Sequence, residues 1–160
     1  MTIRSLRHSH ALLIKRWWPA VTWAGVIFFF STEYFAAPQT GHFLIPLLSW
    51  LFPTITPQQI EFAHLLVRKS GHLSEYFIFA VLLMRALQGD QQRLPNYRCV
   101  FWTLATILVY AASDEFHQFF VAGRTATPRD VIIDFSGALC GTIWIYWHRK
   151  RLEPGSVSLQ

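Results

Sequence analysis

Four runs of the chain approach the length that an α-helix needs to cross a bilayer: Trp17 to Ala37, Gly71 to Leu87, Cys99 to about Val121, and Val131 to Trp147. A span takes roughly 20 residues, within a range of about 17 to 25. In hydrocarbon every backbone N–H and C=O must be satisfied within its own segment, so such runs fold as helices. The chain is 52% hydrophobic and 14% charged, where a soluble domain carries about 25% charged residues. The expected fold class is therefore all-α, an integral membrane four-helix bundle with spans at about 17–37, 71–88, 99–121 and 131–147. One domain, residues 1–152, precedes a tail, EPGSVSLQ, that reads as disordered. Basic residues before the first run resemble a signal peptide, but its apolar core is too long and Phe35 stands where a small residue belongs. It reads as a retained helix.

Lysine and arginine orient the spans. With both termini cytoplasmic, Arg4, Arg7, Lys15, Arg16, Arg85, Arg93, Arg98, Arg149, Lys150 and Arg151 lie inside, and Arg68, Lys69, Arg124 and Arg129 outside. The acids divide the other way, with only Asp90 and Glu153 inside. The net charge of +5 suits anionic inner-leaflet lipid, and no nucleic acid partner is expected. Between the first two spans, Phe43 to Phe52 has the length of an interfacial or re-entrant segment. Pro57 to Arg68 then reads as a short amphipathic helix, with Thr56 as N-cap, Pro57 at N1 and Gln59 at N3. Cys99 and Cys140 fall in apolar runs and read as packing residues, with no disulfide expected.

The third run reaches full length only by including Asp114, Glu115, His117 and Gln118. Ionisable groups at a membrane border are functional candidates by default. His72, Glu75 and Tyr76 share a helix face, as do Asp114, His117 and Gln118. Asp130 and Asp134 lie at i and i+4, and Asp134 shares its face with Gly137 and Gly141, a small-residue pair that permits close helix approach. The second and fourth helices begin at the outer face, so their N-termini, with Arg68, Lys69, Arg124 and Arg129, form a place for a phosphate or carboxylate.

RKSGHLSEYFIFAVLL followed by SDEFHQFFVAGRTATPRDVIIDFSGALCG resembles the VanZ-like family. The pattern is carried by Lys69, His72, Tyr76, Asp114, Glu115, Gln118, Gly123, Arg124, Asp130, Gly137 and Gly141. Asp134 stands where the family has Asn, and Ala122 where Pro is common. The resemblance implies a multi-pass protein of the bacterial inner membrane, linked in some members to teicoplanin tolerance.

Plainer readings compete at several positions. Asp130 can complete a capping box with Thr127 and Pro128, and Arg124 can form an interhelical ion pair with Asp114 or Asp134. His72, Glu75, Asp114, His117 and Asp134 resemble the carboxylate and imidazole sets of metal-binding bundles; the identity of any metal is unknown and no cofactor is expected. KSGH resembles an element of lipid phosphatases in which a His acts as nucleophile or proton donor. The catalytic candidates are His72, Glu75, Asp114, Glu115 and His117. The substrate-binding candidates are Lys69, Tyr76, Gln118, Arg124, Asp130 and Asp134. The expected partner is a membrane lipid or lipid-linked envelope precursor; the sequence leaves open both oligomeric state and whether the protein is an enzyme, a binder or a structural element. In a background without Cys99 and Cys140, a membrane-impermeant thiol reagent should label Arg124→Cys in intact cells and spare Arg93→Cys. Labelling at position 93 would overturn the orientation.

Overall fold

The computed structural model describes residues 3–89, 94–124 and 126–152, with side chains from Leu12 onward. Five α-helices and no strand occur among them: α1 (Ile3–Phe30), α2 (Ala37–Leu51), α3 (Pro57–Gln88), α4 (Tyr97–Gln118) and α5 (Pro128–Leu152). A single 3-10 turn, Glu33–Phe35, joins α1 to α2. The tail read as disordered, 153–160, lies outside the described residues.

The helices depart from the expected pattern at two points. The first helix ends at Phe30 instead of continuing to Ala37. Ser31 Oγ turns back to the Ile27 carbonyl (3.0 Å) and Thr32 Oγ1 to that of Phe29 (2.7 Å), so side chains satisfy carbonyls that a further turn would have used. Pro38, which lacks an N–H, is tolerated in a first turn and begins α2 instead of prolonging α1. The expected interfacial or re-entrant run Phe43 to Phe52 thus falls largely on a helix of its own, bent by 68° from the preceding one.

The second point is α3. Its capping box forms as the sequence predicts, with Gln59 N–H donating to Thr56 Oγ1 (3.3 Å) and Thr56 N–H to Gln59 Oε1 (2.9 Å). The helix does not stop at Arg68, however, but runs unbroken to Gln88. No proline interrupts it, and the lone Gly71 costs only about 1 kcal/mol against alanine. The short amphipathic helix and the second span are one element. Consequently the helix N-terminus expected just before His72 lies at Pro57 instead, and the free N–H groups it would have offered an anion there are absent.

Among the described residues α4 is the one helix long and apolar enough to cross a bilayer alone, while Leu12–Phe30 and Glu33–Leu51 pass together as a bent pair. α3 is the hub and packs on α1, α2, α4 and α5. Tyr76, Phe79, Ala80 and Leu83 of α3 meet Ala20 and Ile27 of α1, Ile107 and Ala111 of α4 and Ala138 of α5. Against α5 the approach is closest. A Cβ on Gly137 would lie 2.3 Å from the Leu73 carbonyl oxygen, and one on Gly141 2.6 Å from that of Phe77. The glycine pair therefore lines a helix contact and turns Asp134, wholly buried, inward.

Polarity is inverted relative to a soluble domain. Asp114, Glu115, Gln118, Asp130 and Asp134 are buried, while Ile14, Val109, Phe116 and Ile132 are each at least 65% exposed. Large exposed apolar surface marks a contact with lipid or protein.

Gly137→Ala should destabilise the fold by about 1–3 kcal/mol, because the added methyl meets backbone that cannot yield as a side chain end can. Thermal unfolding in detergent checks this. An unchanged melting temperature would place α3 and α5 further apart than described.

Candidate functional site

Arg68, Gly71, His72 and Glu75 recur at i, i+3, i+4 and i+7 on α3, so one face carries all four. That face borders an open cavity of about 400 Å³, lined on other sides by Phe30, Ser31, Phe35 and Arg124 and by Thr40, Phe43, Leu44 and Leu47 at the start of α2 and along it. Its size falls in the range of about 300–1,000 Å³ typical of ligand pockets. One side is aromatic and aliphatic; the other carries two guanidiniums, two imidazoles and a carboxylate.

Arg124 is delivered by Gly123, whose φ of 76° is a conformation glycine adopts without strain. Its guanidinium donates to the carbonyls of Phe30 and of Thr32, the latter at 3.2 Å. These sit at the broken C-terminal end of α1, where free carbonyls and the helix dipole favour a cation. The ion pair of Arg124 with Asp114 or Asp134, the plainer alternative, does not form among the described residues, and the α1 break explains why: the cation is used on orphan carbonyls. Burial depresses the Arg124 guanidinium below its ordinary value, and the like charge of Arg68 adds to this. Burial likewise lowers Arg68, with Glu115 opposing. Both remain cations, since arginine stays protonated in proteins.

Behind the cavity lies a polar network inside the bundle. Asp114 Oδ2 accepts from Ser31 Oγ (2.7 Å) and Gln118 Nε2 (2.8 Å), tying α4 to the end of α1. Glu115 Oε2 accepts the Thr127 backbone N–H (2.9 Å). His72 Nδ1 meets Asp134 Oδ1 at 3.1 Å, which leaves Nε2 as the imidazole nitrogen free for the cavity. Each of these three carboxylates keeps one buried oxygen without a partner: Asp114 Oδ1, Glu115 Oε1 and Asp134 Oδ2.

The sequence-derived candidates thus separate. His72, Glu75 and Arg124 line the cavity, whereas Asp114, Glu115, Gln118 and Asp134 form the buried layer behind it. Tyr76 is fully buried against Phe79 and Tyr110, its hydroxyl unpartnered. Lys69 pairs with Asp130 at the start of α5. Asp130 does not complete a capping box with Thr127: it accepts the Thr127 hydroxyl (3.1 Å), while Glu115 of α4 has taken the Thr127 N–H. His117 leaves the face of Asp114 and packs on Phe28, ring centroids 4.7 Å apart. Among the described residues no group of three or more His, Cys, Asp or Glu side chains is arranged to hold a metal ion. Cys99 and Cys140 are free.

Among the polar cavity residues, Ser31, Thr40 and His64 fall outside the sequence-derived candidates, and Arg68 was named there only as a basic residue of the anion place. Arg68 has a legible signal, its spacing to His72 and Glu75 on one helix face. Ser31 and His64 have none, because their place depends on how α1 ends and how α2 folds back, with Thr40 Oγ1 2.8 Å from His64 Nε2.

The order of the polar residues across α3, α4 and α5 can be compared with known proteins. A family model described as VanZ/LLP1 matches residues 17–149, most of the chain. The chain belongs to the VanZ/LLP1 family. The match spans all five helices of this VanZ/LLP1 chain and extends well beyond the Lys69 to Gly141 stretch that carries the motif. No curated protein and no solved structure matches it.

The buried layer and the cavity differ in what they do for stability. Asp114→Leu strands Ser31 and Gln118 and should destabilise by about 1–3 kcal/mol, whereas Arg68→Gln should stay within about 0.5 kcal/mol of wild type. Thermal melts of the two variants side by side check the contrast. Equal losses would mean that the cavity face, too, is structural.

Proposed function

We propose that this VanZ/LLP1 protein is a multi-pass inner-membrane protein, both termini cytoplasmic, whose outer-facing cavity recognises the anionic group of a membrane lipid or lipid-linked envelope precursor. In this reading α1, the second half of α3, α4 and α5 form a membrane bundle across residues 1–152, α2 covers its outer end, and the protein contributes to glycopeptide tolerance of the teicoplanin type.

The observation that carries the reading is the pairing of two guanidiniums that form no close ion pair among the described residues, acids such as Glu115 acting on them only at longer range, against an apolar wall. The Lys69 charge is taken by Asp130 and the His72 imidazole by Asp134. Arg68 has no hydrogen bond or ion pair among the described residues, and Arg124 donates only to carbonyls. Two half-buried cations facing one cavity repel each other, and a phosphate between them removes that cost through charge-assisted hydrogen bonds. Phe43, Leu44 and Leu47 of α2 suit the acyl or prenyl chain that follows such a head group. The inverted polarity of the bundle supports the membrane placement, because exposed Val109 and Ile132 are stable against lipid and costly against water.

A second reading, a membrane enzyme acting on a phosphorylated lipid head group, is favoured by one contact. Asp134 holds His72 through Nδ1, which presents Nε2 to the cavity as a proton carrier beside Glu75. Lys69, Tyr76, Asp114, Glu115, Gln118, Asp130 and the more distant His117 then act as supports and not as groups that touch substrate.

Arg68→Gln, Arg124→Lys and His72→Ala should lower tolerance to an envelope-directed glycopeptide with cellular protein level and melting temperature retained. Arg124→Lys belongs in the set because an ammonium cannot reproduce the planar fork. Tolerance that falls only in step with protein level would sink the recognition reading. For the enzymatic reading, purified protein should release product from a phosphorylated lipid, with turnover reduced about 10²–10⁴-fold in His72→Ala; no release from any such lipid would leave binding alone.

A further inference from the structure

Among the described residues Glu75 is the one carboxylate that lines the cavity. Its Oε1 lies over Gly71, 4.0 Å from where a Cβ would stand, so the missing side chain leaves it room. The buried acids behind the cavity each spend one oxygen on a hydrogen bond and have the other sealed off. Glu75 differs on both counts. Among the described residues its carboxylate has no hydrogen bond, the ion pairs being Lys69 with Asp130 and His72 with Asp134, and neither of its oxygens is closed off from the cavity. Its backbone carbonyl is held by Trp23 Nε1 at 2.9 Å, which fixes where the side chain starts. The cavity therefore presents both signs of charge, Arg68 and Arg124 together with Glu75; Glu75 attracts Arg124 and His72 at longer range, but among the described residues none of the three forms a close ion pair.

A purely anionic ligand satisfies the guanidiniums and leaves Glu75 facing a like charge. A ligand of both signs satisfies all three groups. We infer that the cavity takes a zwitterionic lipid head group, its phosphate between Arg68 and Arg124 and a primary ammonium, a few bonds further on, at Glu75. The inference rests on the lipid-recognition reading of the same cavity and adds the class of head group. Selectivity comes from the second charge: an uncharged polyol head has nothing to offer a carboxylate but weak hydrogen bonds, whereas an ammonium forms a charge-assisted pair beside a half-buried carboxylate. The apolar wall along α2 places the ligand in the lipid phase and not free in solution.

The test uses the full chain in a non-ionic detergent, titrated with short-chain phosphatidylethanolamine, phosphatidylglycerol and N-acetylated phosphatidylethanolamine, with apparent Kd read by thermophoresis. The ethanolamine lipid should bind more than about tenfold tighter than either of the others, a factor that corresponds to about 1.4 kcal/mol. Glu75→Gln should bring the three within about threefold by weakening the ethanolamine lipid alone, and Arg68→Gln should weaken the ethanolamine and glycerol lipids alike by more than about tenfold. Equal binding of all three by wild type, still lost in Arg68→Gln, would overturn the zwitterion inference and leave anion recognition standing. Saturable binding of none would overturn both. If Glu75→Gln fails to fold, the wild-type comparison of free and N-acetylated amine decides, since capping removes the charge without touching the protein: equal affinity rejects the inference. Soluble phosphoethanolamine competing as well as the lipid would overturn the lipid source of the ligand.

Discussion

The close approach of α5 to α3 at Gly137 and Gly141 governs most of what surrounds it. Leu73 and Phe77 carbonyl oxygens occupy the space that side chains at those two positions would need. Helices drawn this near each other bring the residues one turn away into contact as well. Asp134, one turn before Gly137, meets His72, one residue before Leu73, and Asp130 meets Lys69 another turn out. In a lipid setting there is little hydrophobic force between helices, so small residues and polar contacts supply the association. The same glycines that allow packing therefore also decide which charges become neighbours.

A cluster of acids enclosed by such helices is costly, since every buried polar atom without a partner loses its hydration. The protein reduces that cost halfway. Asp114, Glu115 and Asp134 each have one oxygen engaged and the other bare. The engaged oxygens do structural work by tying Ser31 at the end of α1, Thr127 at the start of α5 and His72 on α3 to one layer. This layer sits behind the cavity and holds its imidazole in place. The cavity itself is bounded by residues that the fold has left with charge to offer, above all Arg68 and Glu75. A rigid polar layer supporting a reactive or recognising surface is the arrangement that keeps a site in position.

Much of this was legible residue by residue. The GALCG spacing pointed to a helix contact, TPQQ to the α3 cap, and the interval between His72 and Glu75 to a shared face. Two features were hidden for identifiable reasons. The polar run Arg68 to Ser70 reads as a boundary between an interfacial helix and a span, yet nothing in it breaks backbone hydrogen bonding, and α3 passes through. The apolar run Trp17 to Ala37 reads as one helix, yet Ser31 and Thr32 turn their hydroxyls onto the last carbonyls, and Pro38 can only begin a new one. Both errors come from reading hydropathy where local hydrogen-bond chemistry decides.

The sequence by itself determined that the chain is all-helical and that α3, α4 and α5 carry polar residues at one level, because periodicity and composition are local properties, and its motif residues carried the likeness to the VanZ/LLP1 family that the family match shows. Only the tertiary structure decided which of those residues meet. Whether Asp114 faces Arg124 or Ser31, whether Glu115 or Asp130 takes the Thr127 N–H, and whether Tyr76 reaches a cavity or the core depend on where α1 ends and how near α5 comes to α3. Those distances are set by contacts between residues far apart in the chain, such as Ser31 with Asp114 and His72 with Asp134. Helical spacing assigns a side chain to a face, but the partner on the other side of that face is chosen by packing.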